Sequence, residues 1–99
     1  MSGSNPPWKI RILKKAEQDV AWFRKHRKPY YIKCFDLFRE IVIDPRHGTG
    51  KPERLKYFEK EVWSRRISYE HRLVYVVYVE EHEVDIVSCK SHYDRPISG

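Results

Sequence analysis

The sequence has few cysteines and no long apolar run. Its two cysteines, Cys34 and Cys89, show no CxxC spacing and have no nearby group of histidine and cysteine that could complete a zinc shell. We therefore expect two buried free thiols, no metal and no other cofactor. The opening MSGSNPPWKI lacks an apolar stretch long enough for a secretory signal or a membrane span, which predicts a cytoplasmic location.

Acidic residues are outnumbered by basic ones. The chain has 20 Lys and Arg against 14 Asp and Glu, a net charge of +6 and a pI near 9.4. Such a surface attracts polyanions through counterion release and long-range steering. Charge alone leaves nucleic acid, the ribosome, a membrane surface and an acidic protein open as partners.

The length and composition predict a single small domain. The 99 residues are 40% hydrophobic and 14% aromatic, which is enough apolar material for one core but not for two. We expect a disordered segment over residues 1–7, the domain over 8–93 and a tail over 94–99. The aromatic residues recur at helix and strand spacing, so we interpret most of them as core rather than as a surface for stacking RNA bases.

The N-terminal half reads as one strand followed by two helices. Trp8, Ile10 and Ile12 alternate with charged residues, the pattern of a strand with one buried face. A first helix then buries Ala16, Val20 and Phe23. Pro29 separates it from a second helix over about 30–43, whose predicted buried stripe is Tyr31, Phe35, Phe38 and Val42. The apolar stripes of both helices need a sheet to cover.

The C-terminal half is rich in β-forming residues. Residues 62–68, 72–80 and 83–90 are three successive strand candidates dense in Val, Ile and Tyr, with connections short enough for hairpins. The predicted fold class is therefore α+β, with an N-terminal strand and a two-helix hairpin packed on an antiparallel sheet that three C-terminal strands complete.

Carboxylate, guanidinium and imidazole groups gather around these strands and could cleave RNA. Attack by the RNA 2′-hydroxyl needs a base, cationic donors for the charge that builds up on phosphorus, and an acid for the leaving 5′-oxygen. From the residues alone, Glu53 could instead form only an ion pair with a neighbouring basic side chain, and His92 could be a tail residue without a role. Arg65 and Arg66 are adjacent, so on a strand they point to opposite faces and one of them braces the structure. The histidines at 71 and 82 fall at predicted turns, where exposure is common, and we assign them no chemistry.

Three separated motifs resemble the YoeB/Txe family of bacterial toxins, within the RelE/ParE-like superfamily. They are GKPERLK (50–56), WSRRISYEHRLVYVV (63–77) and CKSHY (89–93). The resemblance implies two helices on an antiparallel sheet, in agreement with the element order above. It also implies a ribosome-bound, metal-independent endoribonuclease that cleaves messenger RNA and so inhibits translation.

The resemblance assigns roles to individual residues. Glu53 becomes the general base and His92 the general acid, Arg66 and Arg72 stabilise the phosphate, and Tyr93 positions the substrate. Lys56 and Glu70 also match family site positions, for phosphate contact and arginine orientation. Together with Lys51 and Arg65, they complete the set that we expect to bind RNA.

The resemblance implies partners as well. They are messenger RNA, the ribosome with its RNA, and a cognate antitoxin of the YefM/Phd type, with a homodimer left open and no membrane partner. The alternative is a toxin or scaffold of the same fold that does not catalyse a reaction and acts by binding gyrase or the antitoxin. The base and acid at Glu53 and His92 argue against that alternative.

Overall fold

Five strands form one mixed sheet, and two helices cover one of its faces. The structure is a computed structural model that describes residues 6–90. The elements are β1 (Lys9–Ile12), α1 (Lys14–His26), α2 (Lys28–Ile43), β2 (Glu53–Arg54), β3 (Glu61–Arg66), β4 (Arg72–Tyr78) and β5 (Glu83–Ser88). The sheet order is β1-β5-β4-β3-β2. The predicted strand, helix pair and three C-terminal strands are thus confirmed.

The first strand joins the sheet in a direction that its sequence does not reveal. β1 pairs in parallel with β5, with Ile10 opposite Val84, whereas the pairs from β5 to β2 are antiparallel. The connection from β1 to β5 contains both helices and the other three strands. It is long enough for the crossover that parallel neighbours need, whereas antiparallel neighbours can share a tight turn. The expected antiparallel arrangement therefore holds for four strands, and β1 adds a parallel pair at one edge.

The second helix is rotated slightly from its predicted orientation. Its buried residues are Cys34, Leu37, Phe38 and Ile41, while Phe35 is 38% exposed. Of the predicted stripe, Phe38 is buried, but Tyr31 and Val42 are only partly so. The Tyr31 and Phe35 rings pack edge to face at the margin of the helix, with centroids 5.2 Å apart. Pro29 lies in the first turn of the helix, where its missing N–H costs no hydrogen bond.

The main core lies between the helices and the sheet. Ala16 and Phe23 of α1 pack there with Leu73, Tyr75 and Ile86 and similar residues of the central strands. Cys34 and Cys89 are both buried and free, as predicted. A hydrogen bond with Cys34, together with burial, raises the pKa of the Cys89 thiol. Both thiols therefore act as small apolar core groups.

The opposite face of the sheet is open. Val62, Val74 and Val76 form a second, smaller apolar cluster there, and the helices do not cover it. Within residues 6–90, no helix is both long enough and apolar enough to span a membrane. The open face is where the predicted site residues of the strands come together.

Candidate active site

The strand register places Glu53 in a row that crosses the open face. Glu53 of β2 lies opposite Ser64, Ser64 lies opposite Val74, and Val74 lies opposite Ser88 of β5. Directly opposed residues of antiparallel strands project from the same face. The exposed Glu53 carboxylate therefore stands on the side of the sheet away from the helices.

Two arginines follow this row at its edge. Arg66 and Arg72 lie directly opposite each other at the ends of β3 and β4, in the antiparallel register that continues from Ser64 and Val74. Side chains so placed have Cβ atoms about 5 Å apart, and Glu53 is the diagonal neighbour of Arg66, within reach of a long side chain. Guanidinium groups carried at two such opposed positions could bind one anion together, and a carboxylate at the diagonal position could accept a proton from it.

Arg65 points the other way, into the protein. Its side chain is fully buried and donates five hydrogen bonds, to Tyr75, Glu40 and the backbone carbonyls of residues 44, 47 and 49. A guanidinium has five N–H donors, so every one is used. This corrects the RNA contact predicted for Arg65: the opposite-face expectation for residues 65 and 66 holds, and Arg65 is the member that braces.

Tyr75 shares this buried network. Its hydroxyl donates to the Pro45 carbonyl at 2.7 Å and accepts from Arg65 Nε at 2.9 Å. Burial raises the pKa of Tyr75, which keeps the hydroxyl protonated as a donor. Glu40 accepts from Thr49, and this contact, with the help of Arg65, lowers the pKa of Glu40. The loop between α2 and β2 is thus anchored by side chains on the helix-covered side of the sheet.

The turn between β3 and β4 carries Glu70 beside the two site arginines. The Ser68 hydroxyl accepts from the N–H groups of Glu70 and His71, at 3.1 and 3.0 Å. Glu70 is exposed, and its carboxylate is 3.7 Å from His71 Nε2. The His71 ring is 12% exposed and packs edge on against Phe23 and Tyr30. The expectation that this side chain is exposed is therefore wrong. The second turn histidine, His82, is also part-buried.

The two site lysines stand apart from each other. Lys51 is exposed in the loop just before Glu53, with a φ of 51°. Lys56 follows Leu55, whose N–H bonds to the Val62 carbonyl near the start of β3. Four strand steps separate Val62 from Arg66, roughly 13 Å. The structure therefore brings Lys51 near the arginine pair and leaves Lys56 at the other end of the open face.

An apolar groove fills the middle and far end of this face. Its volume is about 450 Å³, and its lining includes Tyr57, Phe58, Val74 and Val87. The ring of Tyr57 is fully exposed and that of Phe58 is 43% exposed. The open face thus combines a charged end, where a phosphate fits, with an aromatic end, where a planar base could stack.

The end of β5 is anchored to α1 by Asp19. Its Oδ2 accepts hydrogen bonds from the N–H groups of Cys89 and Lys90, at 2.9 and 3.0 Å, and Lys15 pairs with the same carboxylate. The register shift between Val74 and Tyr75 leaves Val87 extra on β5, and both Val87 and Ser88 line the groove. His92 and Tyr93 lie outside the described residues, a few positions beyond this anchor.

Sequence reasoning missed Asp19, Glu40 and Tyr75. Each of them holds a segment next to the site rather than the site itself. One signal was available: Asp19 falls inside the apolar stripe formed by Ala16, Val20 and Phe23, where a carboxylate is costly unless it is bonded. Within residues 6–90, no three His, Cys, Asp or Glu side chains form a cluster suited to a metal ion.

Comparisons with known proteins agree on one family. A sequence profile described as "YoeB-like toxin of bacterial type II toxin-antitoxin system" matches residues 13–93. A Synechocystis protein named Toxin YoeB is 39% identical over 87 residues, which cover 88% of this chain and 99% of that protein. The YoeB dimer of Staphylococcus aureus matches with a TM-score of 0.77 and 36% identity, covering 88% of this chain and 99% of its own. The YoeB–YefM heterotetramer of the same organism matches with a TM-score of 0.74 and 37% identity, covering 87% and 98%. These matches confirm the predicted RelE/ParE-like α+β fold.

Proposed function

The chain belongs to the family of YoeB-like toxins of bacterial type II toxin–antitoxin systems, and on this basis we propose that it cleaves messenger RNA on the ribosome. The observation that carries the proposal is the strand register. It puts Glu53 diagonal to Arg66, which lies opposite Arg72, on the open face. This grouping of one carboxylate with two guanidinium groups supports the assignment of Glu53 as the base and of the arginines as phosphate-binding cations. The net charge of +6 supports a polyanionic substrate.

The reaction uses the RNA's own 2′-hydroxyl. Glu53 accepts the hydroxyl proton, the 2′-oxygen bonds to phosphorus, and the bond from phosphorus to the 5′-oxygen breaks. Arg66 and Arg72 stabilise the negative charge that grows on the non-bridging oxygens. His92 donates a proton to the leaving 5′-oxygen. The products are a 2′,3′-cyclic phosphate and a 5′-hydroxyl, and no divalent metal takes part.

The length of the chain is compatible with this assignment for His92. Ser88 ends the row that begins at Glu53, three strand spacings or about 14 Å away. Asp19 holds Cys89 and Lys90, so two further positions lead to His92 and span at most about 7 Å. The Glu53 and His92 side chains and the phosphate between them span the remaining distance. Tyr93 then positions the substrate, Glu70 orients an arginine, and Lys51 and Lys56 contact neighbouring phosphates.

The remaining partners follow from the same surface. A nucleobase stacks in the apolar groove beside Tyr57 and Phe58, which suits single-stranded RNA. An acidic antitoxin of the YefM/Phd type binds the basic chain and blocks it, and two copies of the chain form a homodimer. Because its target is the translating ribosome, the protein acts in the cytoplasm.

The test is a cleavage assay on ribosomes programmed with a defined messenger RNA. Wild type should release a fragment that ends in a 2′,3′-cyclic phosphate, and a single 2′-deoxy substitution at the cut nucleotide should stop the reaction. Glu53→Gln and His92→Gln should each lower the rate by about 100-fold or more, because each removes one proton transfer. Glu81→Gln, an exposed carboxylate in the β4–β5 turn, serves as the matched control and should cleave like wild type. A 3′-hydroxyl product, or cleavage of the 2′-deoxy substrate, would overturn the mechanism.

A further inference from the structure

Arg65 is the largest side chain that is fully buried among the described residues, and its contacts converge on one loop. Nη2 donates to the carbonyls of Asp44 and His47, at 2.9 and 2.8 Å, and Nη1 donates to the carbonyl of Thr49 at 3.3 Å. Removing a cation from water costs several kcal/mol unless its partners are well placed. The loop over 44–49 supplies three of the five partners, so the guanidinium and the loop fix each other.

Glu40 closes the same loop from α2. Its Oε1 accepts from Arg65 Nη1 at 2.9 Å and from the Thr49 N–H at 2.7 Å, while its Oε2 accepts from Thr49 Oγ1 at 2.7 Å. Gly48 passes so close to this pair that an added Cβ would lie 2.4 Å from Glu40 Oε1 and 2.6 Å from Arg65 Nη1. A side chain at position 48 would therefore displace Glu40 and Arg65 from their observed positions, and the φ of 138° at Gly48 also favours glycine there.

The loop continues directly into the candidate site. The Arg66 N–H donates to the Gly50 carbonyl at 2.7 Å, and Glu53 follows three residues later. β2, which carries Glu53, is only two residues long and lies at the sheet edge. So short a strand does not hold a position by its own pairing. The tethered loop that leads into β2 therefore adds to the pairing of β2 with β3 in fixing Glu53 relative to Arg66.

We propose that the ion pair between the buried Arg65 and the partly exposed Glu40 is a positioning device that holds the Glu53 carboxylate in register with Arg66 and Arg72. The proposal rests on the proposed function, because Glu53 matters here as the base. Arg65 itself never meets RNA: it acts through the loop, from the covered side of the sheet. In this arrangement α2 and the open face are mechanically linked across the sheet.

The experiment compares three variants over a range of concentrations of programmed ribosomes. Arg65→Lys keeps the charge but offers one ammonium with three donors in place of a planar group with five, so it cannot hold every carbonyl. Gly48→Ala leaves every charged group intact, but its added Cβ displaces the side chains of Glu40 and Arg65. Arg11→Lys is the matched control, because Arg11 forms a two-pronged ion pair with Asp85 at the opposite edge of the sheet.

Each variant is measured for kcat, for KM and for deuterium uptake over residues 46–54. We expect Arg65→Lys and Gly48→Ala to lower kcat by about 10- to 100-fold, the penalty of a misplaced catalytic group. KM should stay within a factor of two, since the phosphate-binding arginines remain. Deuterium uptake in the loop should rise in both, while Arg11→Lys should match wild type in all three quantities.

The outcomes separate this inference from the proposed function. If wild type does not cleave RNA, the proposed function fails, and the uptake measurement alone still decides whether the pair holds the loop. If wild type cleaves and Gly48→Ala, folded, keeps the wild-type kcat, the positioning role is refuted. It is also refuted if kcat falls only in proportion to the folded fraction, because that result indicates a purely structural brace. If Arg65→Lys does not fold, Gly48→Ala decides alone.

Discussion

Removing a single oxygen atom from Tyr75 should cost this protein a large part of its stability. In Tyr75→Phe the Pro45 carbonyl loses its donor at 2.7 Å and Arg65 Nε loses its acceptor at 2.9 Å, in a fully buried setting. An unsatisfied buried group costs about 1–3 kcal/mol, and more when it is charged. One neutral and one charged group together give about 3–4 kcal/mol. Small proteins have only about 5–15 kcal/mol of stability in total.

Urea denaturation at pH 7, followed by tryptophan fluorescence, measures this loss. The midpoint should fall while the m-value stays constant, and the melting temperature should drop by about 15 °C or more. Tyr78→Phe, three positions along the same strand, is the control: within residues 6–90 its hydroxyl bonds only to the exposed Lys60 amine, at 3.2 Å. That variant should change the free energy of unfolding by about 0.5 kcal/mol or less. If the two variants differ by less than about 1 kcal/mol, the buried network does not hold the loop as described.

Two further predictions concern buried and paired carboxylates. Asp19→Ala leaves the N–H groups of Cys89 and Lys90 without their acceptor and should reduce the free energy of unfolding, measured in urea, by about 2–3 kcal/mol. The control Asp36→Ala, which removes an exposed ion pair on α2, should reduce it by about 0.5 kcal/mol or less. Equal losses in the two variants would contradict the anchoring role of Asp19. The ion pair with Arg46, more than any other contact, lowers the pKa of Glu61 below its ordinary value of 4.5. The stability that the Glu61 carboxylate contributes is therefore complete above pH 4.5 and disappears as the pH falls through the lower pKa of the folded state. Urea denaturation should therefore show wild type more stable than Glu61→Gln at pH 6 and a smaller difference at pH 3, and a constant difference would show that the pair does not lower this pKa.

The regular elements could be predicted because each buries one face. The alternation at Ile10 and the helical spacing of Ala16 and Phe23 both reflect packing on a single surface. Strand ends were less accurate. β3 stops at Arg66 rather than at Ser68, because the N–H groups of Ile67 and Ser68 both donate to the His71 carbonyl and begin the turn.

Features set by distant contacts could not be predicted. β2 has no periodicity of its own and exists because Glu53 and Arg54 pair with Ser64 and Trp63. The parallel direction of β1 depends on where β5 lies, which no pattern within β1 records. Phe35 was placed in the core by its helical spacing from Tyr31 and Phe38, whereas the buried stripe of α2 consists of Cys34, Leu37, Phe38 and Ile41.

The candidate site was only partly readable for the same reason. Strand alternation predicted that Arg65 and Arg66 would separate, and family resemblance supplied the roles of Glu53 and Arg72. Nothing local to Arg65 indicates that its partners are Glu40, 25 residues earlier, and Tyr75. Whether a basic residue is buried depends on the tertiary structure. In the sequence, Arg65 looks like any other basic residue.

The place of β5 between β1 and β4 also constrains how the molecule can be made. Lys9–Ile12 leaves the ribosome early but finds its strand partner only when residues 83–88 have been synthesised and released. Asp19 likewise lacks these two hydrogen-bond donors until the amides of residues 89 and 90 have been synthesised. Contacts between such distant segments form slowly. The nascent chain therefore carries its β3–β4 hairpin, with Arg66 and Arg72, over an unfinished sheet until β5 has been synthesised and released.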